Sequence, residues 1–285
     1  MTEYVLSLSY GKDSLACLGA IVQLGWRLDR IIHAEVWAAD TVHADLPSMV
    51  EFKAKADKII KEMTGVEVEH LCAVRNGEKL TYEKLFYHIP MRKEKNAERF
   101  GAKYNGFPLR SCPWCNSRLK IGALRLSLHS KELVQGTKIN TVQYLGIAAC
   151  ESERIERHTK PGIMLPLVEA GWDEAYCRQW CEEHDLLSPI YTTATRGGCW
   201  FCHNQGIDSL RSLRRNYPDL WALLMKWDLD SPVTFKADGH TVHDFDRRFE
   251  MEDAGKVPVG RSFRWAMLDK PPMFVPLSFE QMSFF

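Results

Sequence analysis

The chain has 285 residues, 45% of them apolar and 26% charged, an ordinary globular composition with length for one large α/β domain or two modest ones. Its 37 Lys and Arg balance 37 Asp and Glu, which excludes a uniformly basic nucleic-acid binder. There is no run of about 18 uninterrupted apolar residues, and the opening Met1-Thr2-Glu3-Tyr4 lacks a basic and apolar leader, so neither a membrane span nor a signal peptide is expected and the cytoplasm is the default. In a reducing compartment nine cysteines need a reason other than disulfides, and metal binding or catalysis supplies one.

In chain order, Tyr4 to Ser9 is a short β-prone run, Tyr10-Gly11-Lys12-Asp13-Ser14 breaks it, and Leu15, Leu18, Ile21 and Val22 recur at helical spacing. This reads as strand, loop, helix. A Gly-containing turn feeding a helix N-terminus aims backbone N–H groups and the positive end of the dipole at one spot, which suits a phosphate. Lys12 adds a mobile charge, and Ser9 and Ser14 add hydroxyl donors. The Walker spacing is absent, so an ordinary P-loop is not indicated, and a plain βα turn is the bland alternative.

Ile31 to Ala39 reads as the second strand, followed by Asp40-Thr41, with Leu46-Pro47 opening a helix over Met49 to Met63. Glu78 to Arg99 reads as polar helix, Tyr104 to Cys115 as loop, and Asn116 to Leu128 as a helix with apolar Leu119, Ala123, Leu124 and Leu126. Thr141 to Ala148 is a strand. In the amphipathic helix of Trp172 to His184, Trp172, Tyr176 and Trp180 recur every four residues, as core packing does. Ser209 to Trp227 is helical again, and beyond residue 228 only His243 to Met251 shows a helical period. The alternation predicts an α/β domain over residues 1–195 and a helical or irregular C-terminal extension, 196–285, carrying the second cysteine pair.

Five cysteines, Cys17, Cys72, Cys150, Cys177 and Cys181, stand in apolar or amphipathic patterns and read as core thiols. The other four form two C-x-x-C pairs, Cys112-Pro-Trp-Cys115 and Cys199-Trp-Phe-Cys202. Two such pairs make a four-thiolate set that serves Zn²⁺ and iron–sulfur clusters alike. Between Met91 and Lys131 basic residues outnumber acidic ones, with Tyr104, Phe107 and Trp114 interleaved, a pattern that suits a nucleic-acid strand. A solvated helix face, or an arginine cluster serving a nucleotide, fits it as well. Arg211, Arg214 and Arg215 are placed to extend the same surface.

Ser9-Tyr10-Gly11-Lys12-Asp13-Ser14 resembles the S-G-G-K-D-S signature of PP-loop ATP pyrophosphatases. Within that superfamily the chain is most similar to the phosphoadenylylsulfate (PAPS) reductase-like branch. The resemblance rests on Asp40-Thr41 with Leu46-Pro47, on Gly146-Ile147 followed by Glu151-Ser152-Glu153-Arg154, and on Pro166-Leu167, Trp172, His184, Tyr191 and Arg196-Gly197-Gly198-Cys199-Trp200-Phe201-Cys202. It spans residues 4 to about 225. Three departures separate the chain from the reductases proper: no cysteine follows Cys202, Ala148 replaces an Arg, and the first cysteine pair is spaced rather than adjacent. What remains resembles the ATP-pyrophosphatase component of DNA phosphorothioation systems and the cluster-dependent tRNA thiolases.

The resemblance implies an adenine nucleotide alpha hydrolase-like fold, a doubly wound and mostly parallel sheet. It implies ATP on Ser7, Ser9, Tyr10, Gly11, Lys12, Asp13 and Ser14, with Asp40, Gly146, Glu151 and Arg154 as further contacts. Lys12, Asp13 and Asp40 are the candidate catalytic residues. An acceptor oxygen attacks the α-phosphate, pyrophosphate leaves, and sulfur from a cluster or an outside persulfide donor then displaces AMP. Asp13 is either the Mg²⁺ ligand or a helix cap, and Asp40 touches either ribose or metal. Cys112, Cys115, Cys199 and Cys202 would hold a [4Fe–4S] cluster or, alternatively, Zn²⁺. Two other readings stand beside this one: a sulfonucleotide reductase using an external thiol, and a non-catalytic nucleotide or nucleic-acid binding module with structural zinc.

Overall fold

A computed structural model describes residues 2–90, 104–109, 113–129, 140–193 and 198–268. The chain runs through β1 (Thr2–Ser7), α1 (Lys12–Gln23), β2 (Arg30–Glu35), a hairpin of β3 (Trp37–Ala39) and β4 (Val42–His43), α2 (Pro47–Thr64) and β5 (Val68–Cys72). A second hairpin, β6 (Val74–Arg75) and β7 (Glu78–Lys79), precedes α3 (Tyr82–Phe86). A π-helix (Asn116–Ile121) continues into α4 (Gly122–His129), then come β8 (Asn140–Tyr144), α5 (Ser152–His158), β9 (Ile163–Met164), α6 (Pro166–Glu169), α7 (Glu174–Glu183) and α8 (Ile190–Thr193). Helices α9 (Ile207–Asn216), α10 (Pro218–Asp230) and α11 (Val242–Asp253) and a 3₁₀ turn (Trp265–Leu268) follow. Two compact units result, one of residues 1–81 and 116–199, the other of 82–115 and 200–285.

The first unit is an α/β layer structure around a five-stranded, all-parallel sheet in the order β5-β2-β1-β8-β9. Central β1 buries Val5 and Leu6 completely, as a strand flanked by neighbours on both sides and covered by helices requires. The chain moves outward from β1 to β2 and β5, then returns to lay β8 on the other side of β1. Strand order therefore reverses at β1, a pattern consistent with a doubly wound fold, whose ligands bind at the carboxyl edge of such a reversal. Helix α1 buries Leu15, Cys17, Leu18 and Ile21 and packs with α2, α6 and α7, while the π-helix and α4 contact β2. A Cβ at Gly19 would stand 2.4 Å from the Trp180 ring, so the missing side chain is what lets α1 and α7 close.

The second unit is built on aromatic rings. Tyr82 lies 4.1 Å from Phe201 and 5.0 Å from Trp114, and Trp200 stacks on Trp227 at 5.6 Å. Arg211 and Arg248 both bond the Glu252 carboxylate, and Arg214 bonds Asp246 and Asp253. Arg215 lies 3.6 Å from Asp253. Arg211, Arg214 and Arg215 of α9 thus face carboxylates of α11.

Several elements differ from the sequence reading. The strand expected to run to Ala39 ends at Glu35, and Trp37 to His43 folds back as a hairpin with Asp40 in its turn. Of Glu78 to Arg99, residues 78–79 are strand and only Tyr82–Phe86 is helix within the described part. Asn76 and Gly77, both at positive φ, form the turn that makes a hairpin there. Ser209 to Trp227 is two helices, because Pro218 opens α10 and forces Tyr217 out of the helical region. Cys17, Cys177 and Cys181 are buried, whereas Cys72 is half-buried and Cys150, in the loop after β8, is exposed. No helix among the described residues is long and apolar enough to cross a membrane.

Candidate functional site

The turn between β1 and α1 is held by its own hydroxyls. Ser14 Oγ donates to the Gly11 carbonyl (2.9 Å), which leaves it as acceptor for the Ser9 amide (3.2 Å) and for the Ser9 hydroxyl (2.9 Å). The Ser9 oxygen in turn faces the Gly11 amide at 3.4 Å. Both serines, expected as donors to a ligand, here bond within the loop, and Ser9 also lines a pocket beside it. The Lys12 amide donates to the Tyr191 hydroxyl (3.0 Å), and Lys12 Nζ reaches Asp13 (2.7 Å) and Glu174 (3.1 Å). Burial would lower the Lys12 ammonium, but the two carboxylates outweigh it and hold the pKa above its ordinary value. Gly11 takes the cap position without a side-chain cap bond, and Asp13 engages Lys12 rather than capping the helix.

The positive φ of this loop belongs to Tyr10 (φ +56°), not to Gly11 (φ −79°). A left-handed tyrosine costs about 1–2 kcal/mol relative to glycine. Its ring is fully buried, edge-on to His33 at 4.8 Å with Lys53 Nζ 5.1 Å from its centroid, and its hydroxyl donates to Asp57. Burial of a ring this size offsets the strain.

A pocket of about 390 Å³ opens beside the loop, at the carboxyl ends of β1 and β2. Its apolar lining includes Leu8, Ile32, Val36, Met49 and Leu124, and its polar lining includes Ser7, Ser9, His33, Asp45, Lys53, Asn116 and Lys120. His33 Nδ1 donates to the Leu8 carbonyl (2.9 Å), so its Nε2 accepts from Lys53 (2.8 Å), and Lys53 also bonds Asp45 (2.5 Å). Burial, reinforced by the Lys53 charge, depresses the His33 pKa to about 3, so the ring is neutral. Sequence reasoning missed this trio and the π-helix pair Asn116 and Lys120. The signal was present: Lys53 lies on the face of α2 that buries Met49, Phe52, Ala56 and Ile60, where a lysine needs a partner. The i→i+5 winding of the π-helix lets Asn116, Lys120 and Ile121 all reach the pocket.

Of the remaining expected residues, Gly146 touches the loop: a Cβ there would lie 2.6 Å from the Asp13 carbonyl, so its bareness admits the chain after β8 against the first turn of α1. Glu151 accepts from the Ala148 amide (3.1 Å) and pairs with Arg154 (2.5 Å), and neither lines the pocket. Asp40 is exposed in the β3–β4 turn, where its carbonyl accepts from Lys79, and the carboxylate in the pocket lining is Asp45 instead.

Among the cysteines Cys199 lines the pocket, Cys115 and Cys202 are half-buried in the second unit, and Cys112 lies outside the described residues. The spacer aromatics Trp114 and Phe201 both rest on Tyr82, drawing the segments that carry Cys115 and Cys202 to one ring. Lys236 donates to the carbonyls of His203 and Gln205 (both 2.6 Å), pinning the chain just after Cys202. By its chemistry a set of thiolate donors suits zinc or an iron–sulfur cluster. Among the described residues alone, no group of three or more His, Cys, Asp or Glu is arranged to hold a metal ion. Seven of the ten basic residues between Met91 and Lys131 likewise lie outside the described residues, and the other three, Arg118, Lys120 and Arg125, are exposed.

Compared with known proteins by sequence, the chain matches no protein-family model and no curated protein.

Proposed function

We propose that the chain is a PP-loop ATP pyrophosphatase of the PAPS reductase-like kind, which adenylates an acceptor and passes sulfur to it. The observation that carries this reading is the pocket itself, with apolar side chains suited to a base and ribose beside the backbone of Ser7 to Gly11 where α1 begins. ATP would set its phosphates at the helix start. An acceptor oxygen attacks the α-phosphorus, the bond to the bridging oxygen breaks, and pyrophosphate leaves with the charge that Lys12 neutralises. Lys12 exchanges Asp13 and Glu174 for phosphate oxygens in that step, which releases Asp13 for Mg²⁺. Lys120 and Asn116 supply a further charge and a hydrogen-bonding amide from the π-helix wall.

Cys112, Cys115, Cys199 and Cys202 would hold the metal group, which when bound as a cluster supplies sulfur or redox chemistry. A nucleic acid is the acceptor favoured by the basic segment 91–131, and a persulfide-carrying protein is the alternative sulfur source. The test is pyrophosphate release by anaerobically purified protein given ATP, Mg²⁺ and RNA or DNA. Release that depends on the acceptor is expected; none with any acceptor, while ATP still binds, overturns the adenylation step.

A second reading has an observation of its own. Cys199 lines the pocket, where a thiol would have to stand to attack a sulfuryl group. Sulfite release from an adenylyl sulfate with added thiol, without ATP, would favour that reductase chemistry instead.

A further inference from the structure

Behind the loop, Tyr10 enters a polar chain that the proposed reaction does not use. Its hydroxyl donates to one oxygen of Asp57 on α2, and His70 Nε2 on β5 lies 2.9 Å from the other and 3.2 Å from the tyrosine oxygen. His70 Nδ1 lies 3.8 Å from Glu35 at the end of β2, whose carboxylate is also 3.6 Å from His43 on β4. His33 on β2 meets the ring edges of both Tyr10 (4.8 Å) and His70 (5.4 Å), and the Lys53 ammonium of α2 stands by the Tyr10 ring. A backbone position that glycine would occupy without strain is therefore filled by a side chain that reaches into three surrounding elements, β2, α2 and β5.

We infer that Tyr10 is a positioning residue, an anchor that fixes the phosphate-facing backbone of residues 9–12 to Asp57 and His70 and so sets how tightly the site holds a nucleotide. The inference rests on the ATP reading above. It also gives the site a sensitivity to pH through the groups that face His70, namely Asp57, Glu35, Lys53, His33 and Tyr10. The hydrogen bond to Asp57 raises the His70 pKa above its ordinary value. The charged ring is therefore favoured in the anchored state, and anchoring weakens as pH rises through that raised value.

Three variants test this in the full-length chain. Tyr10→Phe keeps the ring and its φ but removes the hydroxyl; it should raise the Kd for Mg-ATP about fivefold, the worth of one ordinary hydrogen bond. It should also flatten the Kd's dependence on pH relative to the wild type. Tyr10→Gly relieves the φ strain, so a strain-only account predicts tighter binding, whereas the anchor predicts weaker binding than Tyr10→Phe. Asp57→Asn should resemble Tyr10→Phe. In protein without ligand, hydrogen exchange at the amides of residues 10–13 should speed up in Tyr10→Phe while β1 and β2 keep their protection. Unchanged loop exchange together with an unchanged Kd at every pH overturns the anchor. Wild-type protein that binds no ATP overturns the nucleotide reading instead, and the exchange comparison alone then decides whether Tyr10 anchors the loop.

Discussion

At Gly146 one absent methyl group sets the distance between two parts of the site. The Cβ of an alanine would meet the Asp13 carbonyl at 2.6 Å and the Ser14 Cα at 2.7 Å, backbone atoms that cannot swing aside. Gly146→Ala should cost about 1–3 kcal/mol in denaturant unfolding, with weakened ATP binding beyond what the stability loss explains. His33 makes a second prediction. Neutral in the fold and depressed to about 3, it takes up a proton in the unfolded chain near its ordinary value of 6.5. Its contribution to stability is complete above that value and is lost as pH falls toward 3, with a slope of up to about 1.4 kcal/mol per pH unit. His33→Gln should flatten the acid limb of the stability profile between those values; an unchanged limb would mean that His33 is not held neutral. At this scale the sequence exposed Lys12, Gly11 and Asp13 because local chemistry marks them. It hid His33, Asp45 and Lys53, whose importance arises only when α2 is laid on β2.

Between elements, the carboxylate of Glu252, 2% exposed, joins α11 to α9 through Arg211 and is held from its own helix by Arg248. Glu252→Ala leaves Arg248 and Arg211 without that shared partner and should destabilise the protein by about 3 kcal/mol, whereas Arg215→Ala, at an exposed pair, should change stability by about 0.5 kcal/mol or less. Equal effects would mean that the pair network is not what holds α9 and α11 together. The helices themselves were legible where the period was clear, as in α2, opened by Leu46-Pro47, and in α11, which the structure shows begun by a Thr241–Asp244 capping box. Legibility failed where a single turn decided the outcome: Asn76-Gly77 makes a hairpin inside a polar stretch that otherwise passes for helix, and Pro218 cuts one amphipathic run into two helices. Asp40, which reads as a strand-end carboxylate, instead lies in the β3–β4 turn for the same reason, since the break at Val36 and the return of β4 leave no hydrophobic periodicity to read.

Over the whole molecule, the second unit draws on two stretches of sequence, residues 82–115 and 200–285. Nothing in composition marks the first of these as belonging with the last third of the chain. The reason is aromatic packing: Tyr82 and Phe86 lie 5.2 and 6.0 Å from Trp227 of α10. A chain truncated after residue 199 strips those rings of their partners, so residues 82–90 and 104–109 should become protease-sensitive in limited digestion while the full chain resists at those positions; equal resistance would contradict the division. The site and the cysteine set should also separate. Cys199→Ala should lose bound metal, and Lys12→Ala should keep its metal content and lose ATP use. The central claim is that the loop and pocket at the start of α1 bind ATP, and calorimetric titration of Mg-ATP into wild type and Lys12→Ala tests it most directly. Saturable one-site binding, weakened about tenfold or more by Lys12→Ala at unchanged melting temperature, is the predicted result, as removal of one charge-assisted phosphate contact implies. Absence of binding, or binding indifferent to Lys12, would contradict it.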